Sequence, residues 1–153
     1  MANSYTQLYV QIVFAVKNRQ SLISFEVKDK IEKYICGIAS NINCKPIAVY
    51  CNPDHTHLLV SIKPIKCVAD VVRDIKSFSS RYINENRLVK GRFEWQTGYG
   101  AFSYGQSQVE RVKAYIRNQG AHHKERTFKE EYVLLLKAFC IDYDDSYLFD
   151  AID

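Results

Sequence analysis

The 153-residue chain has no apolar run approaching the roughly 18 residues needed to cross a bilayer. Its first residues also lack the basic-then-apolar layout of a secretory signal. Neither a membrane protein nor an exported one is expected, and a cytoplasmic location is. Glycine and proline are scarce, and no linker, internal repeat or low-complexity tract breaks the chain. The five cysteines are odd in number and never in CxxC spacing, which argues against both a disulfide framework and a zinc site. They are expected to be small buried hydrophobes or bystander thiols. What remains is an ordinary globular composition, 47% hydrophobic and 25% charged, at the length of one domain spanning residues 1–153.

The net charge of +4 is unevenly placed. Cys140 to Asp153 holds five Asp and no Lys or Arg, so the rest of the chain is more basic than the total. A basic body suggests a polyanionic partner, while the acidic tail packs or solvates locally.

Leu8 to Val16 alternates, with Leu8, Val10, Ile12, Phe14 and Val16 on one face and Tyr9 and Gln11 on the other, which predicts a half-buried strand. Ser24 can cap a helix running to about Asn41 with one apolar stripe. Pro46 to Cys51 forms a short strand, and the turn Asn52-Pro53-Asp54 joins it to a second strand beginning near His55. A second amphipathic helix covers about Val68 to Glu85, burying Val68, Val71, Val72, Ile75, Phe78, Tyr82 and Ile83. An irregular connection leads to a fourth strand, Tyr99 to Tyr104, where Gly98 and Gly100 allow a bend or a close approach. Gly105 is a hinge or simply a turn. Ser107-Gln108-Val109-Glu110 and Thr127-Phe128-Lys129-Glu130 read as capping boxes, opening a helix that carries Tyr115 and a last helix through about Phe139. The order β-α-β-β-α-β predicts an α+β, ferredoxin-like four-stranded antiparallel sheet with added C-terminal helices. The first and third strands are then central, and the sheet face away from the first two helices is free for a ligand or another helix.

Alternate strand residues share a face, so His55 and His57 point the same way, roughly 7 Å apart. Such a pair either clamps one cation or sits hydrogen-bonded in a polar pocket with no metal. On a helix, positions four apart stack, which sets the phenol of Tyr115 beside the amide of Gln119. His122-His123 lies near a helix end, where the dipole favours it. Arg73, Lys76, Ser80 and Arg81 form the polar side of the second helix, a solvated face or a phosphate-binding one.

Several ordered stretches together resemble the HUH-type single-tyrosine transposases of small bacterial insertion sequences, the transposase-A family. They are Val13-Phe14 with Lys17-Asn18-Arg19, Asp54-His55-Thr56-His57-Leu58-Leu59, Lys76-Ser77-Phe78-Ser79-Ser80, Trp95 through Ser103, Tyr115-Ile116-Arg117-Asn118-Gln119, and Phe128-Lys129-Glu130-Glu131-Tyr132. The resemblance implies that His55, His57 and Gln119 are ligands of a divalent metal, Mg²⁺ or Mn²⁺, and that Tyr115 is the nucleophile. It also implies a 5′-phosphotyrosine intermediate, single-stranded DNA with hairpin ends as substrate, and a bacterial host in which the bound protein lies on the nucleoid. A homodimer is implied, with the tyrosine helix of one subunit docking on the histidines of the other. Arg73, Lys76, Arg81, Arg87 and Arg92 are the candidate DNA contacts, and Trp95 is expected to pack. The chain departs from the family in having Thr56 between the histidines, expected to point into the core, and Gly120 after Gln119. Two other roles stay open: a domesticated relative acting on genomic repeat palindromes, and a ferredoxin-like module that binds single-stranded nucleic acid without chemistry.

Overall fold

The computed structural model describes residues 3–122 and 126–148. Its elements are β1 (Tyr9–Ala15), α1 (Phe25–Asn41), β2 (Lys45–Cys51), β3 (His55–Ser61), α2 (Val68–Glu85), β4 (Gly100–Tyr104), α3 (Val109–Arg117), α4 (Gln119–His122) and α5 (Phe128–Ala138), with 3-10 turns at Lys17–Arg19, Gln106–Gln108 and Asp145–Tyr147. The strands form one antiparallel sheet in the order β2-β3-β1-β4. The two centre strands are therefore β1 and β3, as the connectivity predicts. Pro46 lacks a backbone donor and lies on edge strand β2, beside a register shift.

α1 and α2 cover one face of the sheet. Their stripes of Ile31, Ile35, Ile38, Val71, Val72, Ile75 and Ile83 meet Ile12, Phe14, Leu58 and Val60. Trp95 packs in this core against Phe14 and Phe93 and donates its indole N–H to Ser79. That bond explains one departure from expectation. Ser79, not Phe78, takes the buried position on α2, and Phe78 is left exposed.

The expectation of a half-buried first strand fails for a similar tertiary reason. β1 is buried on both faces apart from Val10 at the edge of the core, because the second face is covered as well. α3 lies there over β2 and β3 through Val109, Val112 and Ile116. α5 packs Phe128, Tyr132 and Leu136 onto Val13, Ala15 and Phe102. At Gly100 the approach is close, as an added Cβ would lie 2.6 Å from the Tyr132 hydroxyl.

The two expected capping boxes part company. Thr127 caps α5 by accepting from the Glu130 N–H. At α3 the helix starts one residue later than expected, after a 3-10 turn, and it is Gln108 that reaches back to the Gly105 N–H. Thr127→Ala should therefore lower stability by about 1 kcal/mol, read from urea unfolding, whereas Ser107→Ala should leave it unchanged. No helix among the described residues is long and apolar enough to cross a membrane. The five cysteines are unpaired, with Cys44 and Cys51 buried.

Candidate active site

β3 places His55 and His57 on the second face, opposite Ala15 and Val13 of β1, with ring centroids 5.2 Å apart. Thr56 points the other way into the core, where its hydroxyl contacts the Cys51 sulfur. Both imidazoles are fully buried, so each ring nitrogen needs a partner. His55 Nδ1 lies 2.7 Å from Asp54 Oδ1, and a carboxylate only accepts, so that nitrogen carries the proton. Its Nε2 faces the Asn52 amide N–H at 3.1 Å and presents a lone pair. His57 differs. Its Nδ1 faces the Gln11 carbonyl oxygen at 2.8 Å and its Nε2 the Glu131 carboxylate at 2.9 Å. His57 Nε2 therefore donates to Glu131 and pairs with it.

Glu131 is the hub of the cluster, and its importance is not apparent from the sequence pattern. One carboxylate oxygen lies 2.9 Å from His57 Nε2 and 3.8 Å from His55 Nε2. The other accepts from the Tyr115 hydroxyl at 2.5 Å and from Gln119 Nε2 at 3.3 Å. The one available signal is positional: Glu131 falls three residues after Phe128 on the buried stripe of α5, where an acid is out of place. Burial pushes its carboxyl up, but the two imidazoles and the Tyr115 hydroxyl outweigh that and hold it well below the usual carboxylate range. A depressed carboxyl stabilises the fold above its unfolded value, about pH 4.5, and loses that contribution as pH falls further. The urea midpoint should accordingly drop below about pH 4.5, and Glu131→Gln should flatten that fall.

Tyr115 comes from α3, its ring edge-on to His57 at 6.0 Å. Burial, and then the bond to and charge of Glu131, push its hydroxyl well above the usual phenol value. Gln119 is also fully buried beside the cluster, though not by continuing the same helix. α3 ends at Arg117, and α4 begins at Gln119. Gly120 lets this second helix approach β2, since a Cβ there would lie 2.9 Å from the Tyr50 hydroxyl. The Gln119 amide oxygen accepts from Asn52 at 3.2 Å. His123 and the side chain of His122 lie outside the described residues.

Among the histidine, cysteine and acidic side chains described, His55, His57 and Glu131 form one group able to hold a metal, with donor atoms within 4.8 Å of one another. Two imidazole nitrogens and a carboxylate fit a divalent ion, and Gln119 stands next to them as a further oxygen donor.

Of the candidate DNA contacts, Arg73, Lys76, Arg81 and Arg92 line one groove of about 890 Å³, together with Lys17, and Arg87 lies outside it. Lys76 has a structural task there. Its ammonium donates to the carbonyls of Gln96 and Gly98 at 2.7 and 2.6 Å, and burial lowers its pKa to about 8. Arg73, Arg81 and Arg92 pair at the surface with Asp70 and Asp74, Glu85, and Glu94. Exposed pairs of this kind are worth little and yield readily to a phosphate.

The family described as "Transposase IS200 like" matches residues 4–119, which include both histidines, Tyr115 and Gln119 but stop short of Glu131. The chain is 27% identical over 124 residues to the ISDra2 transposase TnpA of Deinococcus radiodurans, covering 78% of this chain and 87% of that protein. A crystal structure of a Deinococcus radiodurans R1 protein assigned as a transposase superposes with a TM-score of 0.63 at 23% identity, over 78% of this chain and 95% of that one. The structure of a REP-associated tyrosine transposase bound to a REP hairpin superposes with a TM-score of 0.59 at 13% identity, over 80% and 73%. At these identities the two structures speak for the fold, and the family match spans most of the chain with both histidines inside it. The chain belongs to the IS200-like transposase family.

Proposed function

We propose that the protein cleaves and rejoins single-stranded DNA at the ends of an insertion sequence, through a 5′-phosphotyrosine at Tyr115. The observation that carries this reading is convergence. The Tyr115 hydroxyl, two histidines, a carboxylate and an amide, drawn from β3, α3, α4 and α5, meet in one buried cluster. A merely structural histidine pair has no need of a phenol held 2.5 Å from the same carboxylate.

His55, His57 and Glu131, with Gln119 beside them, are the residues that would hold Mg²⁺ or Mn²⁺, and the nitrogen donors favour Mn²⁺. When bound there, such an ion would neutralise the phosphate and stabilise the departing 3′-oxygen. His55 is ready to donate from Nε2. His57 must first give up its Nε2 contact with Glu131, and because a ligating nitrogen must be free of its proton, loading should strengthen as pH rises. Tyr115 attacks phosphorus, its P–O bond forming as the bond to the 3′-oxygen breaks. Its hydroxyl proton leaves along the bond to Glu131. Glu131 is a weak base because the imidazoles keep it acidic, and its main effect is to aim the phenol oxygen. The phosphotyrosine keeps the energy of the diester, so rejoining needs no ATP.

The groove along α2 supplies hydroxyl, amide and cationic side chains for backbone contacts. Hairpin ends and a homodimer complete the proposal. In the single chain Tyr115 lies edge-on to its own histidine pair. The test is a mixture of protein with labelled single strands from the DNA flanking its own gene, in Mn²⁺ or EDTA. A metal-dependent adduct that survives denaturant is expected, and binding without an adduct would favour the non-catalytic module instead.

A further inference from the structure

Arg19 is left unexplained by the chemistry above. It closes the 3-10 turn Lys17–Arg19 with a φ of 51°, after Asn18 at 58°, a left-handed backbone that side chains rarely adopt. Its side chain is only 8% exposed. The Nε and Nη1 atoms are buried with no hydrogen-bond partner among the described residues. The acid beside it, Asp54, lies 3.6 Å from Nε, within ion-pair range but beyond a hydrogen bond, and its other oxygen is held by His55. Buried guanidinium N–H groups without acceptors are rare, and this one adjoins the cluster. The Phe128 ring lies 5.5 Å from the guanidinium carbon and stacks on His55 at 3.8 Å.

A guanidinium close to a cation site raises the cost of loading the cation, and an anion touching both removes that penalty. Its planar set of charged N–H donors suits the free oxygens of phosphodiesters. We propose that Arg19 is a phosphate seat: its unpartnered Nε–H and Nη1–H, which leave the guanidinium on different edges, donate to backbone phosphate oxygens of single-stranded DNA, next to the phosphate presented to Tyr115. This rests on the DNA-cleaving role argued above. The Phe128 ring lies over the guanidinium carbon, and a strand reaches Nε and Nη1 once the side chains around them shift. Lys17 and Asn18 line the α2 groove, so the turn that buries Arg19 also borders that groove and joins it to the histidines.

The experiment measures equilibrium binding of fluorescent single strands in EDTA, by anisotropy. Each strand carries one neutral methylphosphonate, moved stepwise along the cleavage region. Wild-type binding should weaken about tenfold at one position. Arg19→Gln should weaken binding of the unmodified strand by a similar factor and be indifferent to that same position. Arg19→Lys, which keeps the charge without the planar set of donors, should lie between, and circular dichroism should report all three folded. If Arg19→Gln binds as the wild type does, or if its loss multiplies with the methylphosphonate at every position, Arg19 merely steadies Asp54 and the seat is wrong. If the wild-type protein binds no single strand at all, the DNA-cleaving role falls with it.

Discussion

Tyr115→Phe is expected to abolish covalent capture of single-stranded DNA, by more than about 10³-fold, while DNA affinity stays within about twofold. The ring is half-buried and packs beside Val109, Val112 and Ile116, and phenylalanine retains those contacts. Only the hydroxyl is lost, and with it a hydrogen bond to the Glu131 carboxylate worth about 1.5–3 kcal/mol. The chain has eleven tyrosines, so a residual adduct would be informative. Tyr104 also lies on this side of the sheet, but its hydroxyl accepts from Gln11 and makes no bond to the Glu131 carboxylate. An adduct surviving at the wild-type level on a denaturing gel would mean that another side chain is the nucleophile.

His57→Ala should have the second large effect, on two quantities at once. It deletes a donor from the metal group, so Mn²⁺ affinity measured by calorimetry should fall by about 100-fold or more. It also strips the carboxylate of Glu131 of its imidazole partner inside a buried cluster. Breaking such a pair from one side costs about 3–5 kcal/mol, a large part of the roughly 5–15 kcal/mol that holds a domain together. Adding Glu131→Gln should return part of that stability, because no charge is then left unpaired, yet it should not restore metal binding. The two readouts separate the structural duty of the pair from its chemical one. If the single variant is as stable as wild type, His57 is not the partner of Glu131. If it still binds Mn²⁺ normally, the metal group lies elsewhere.

What the sequence reveals depends on how local each feature is. α1 and α2 keep their apolar stripes at helical spacing over four or more turns, and both fall where the pattern puts them. The histidine pair is legible for the same reason, since alternation on a strand fixes which side chains share a face. The features that escaped are set by tertiary neighbours. Burial of the second face of β1 depends on α3 and α5, which arrive roughly a hundred residues later. The exposure of Phe78 depends on a bond between Ser79 and Trp95. Tyr115 and Gln119 do reach one site, but across a break at Asn118 that helical spacing alone would not produce. Glu131 follows His57 by 74 residues and was visible only as an acid on an apolar stripe. The candidate DNA contacts gather in one groove except for Arg87, although Lys76 proves to anchor the connection before β4.

The most direct test of the proposed reaction is to map the adduct. The protein would be incubated with a single strand spanning the cleavage site in Mn²⁺, digested with protease and nuclease, and the joined peptide and nucleotide sequenced by mass spectrometry. A 5′-phosphate of the downstream DNA esterified to Tyr115, with a free 3′-hydroxyl on the upstream fragment, is the predicted result. Attachment through a 3′-phosphate, attachment to any other residue, or cleaved DNA with no attached peptide would contradict it.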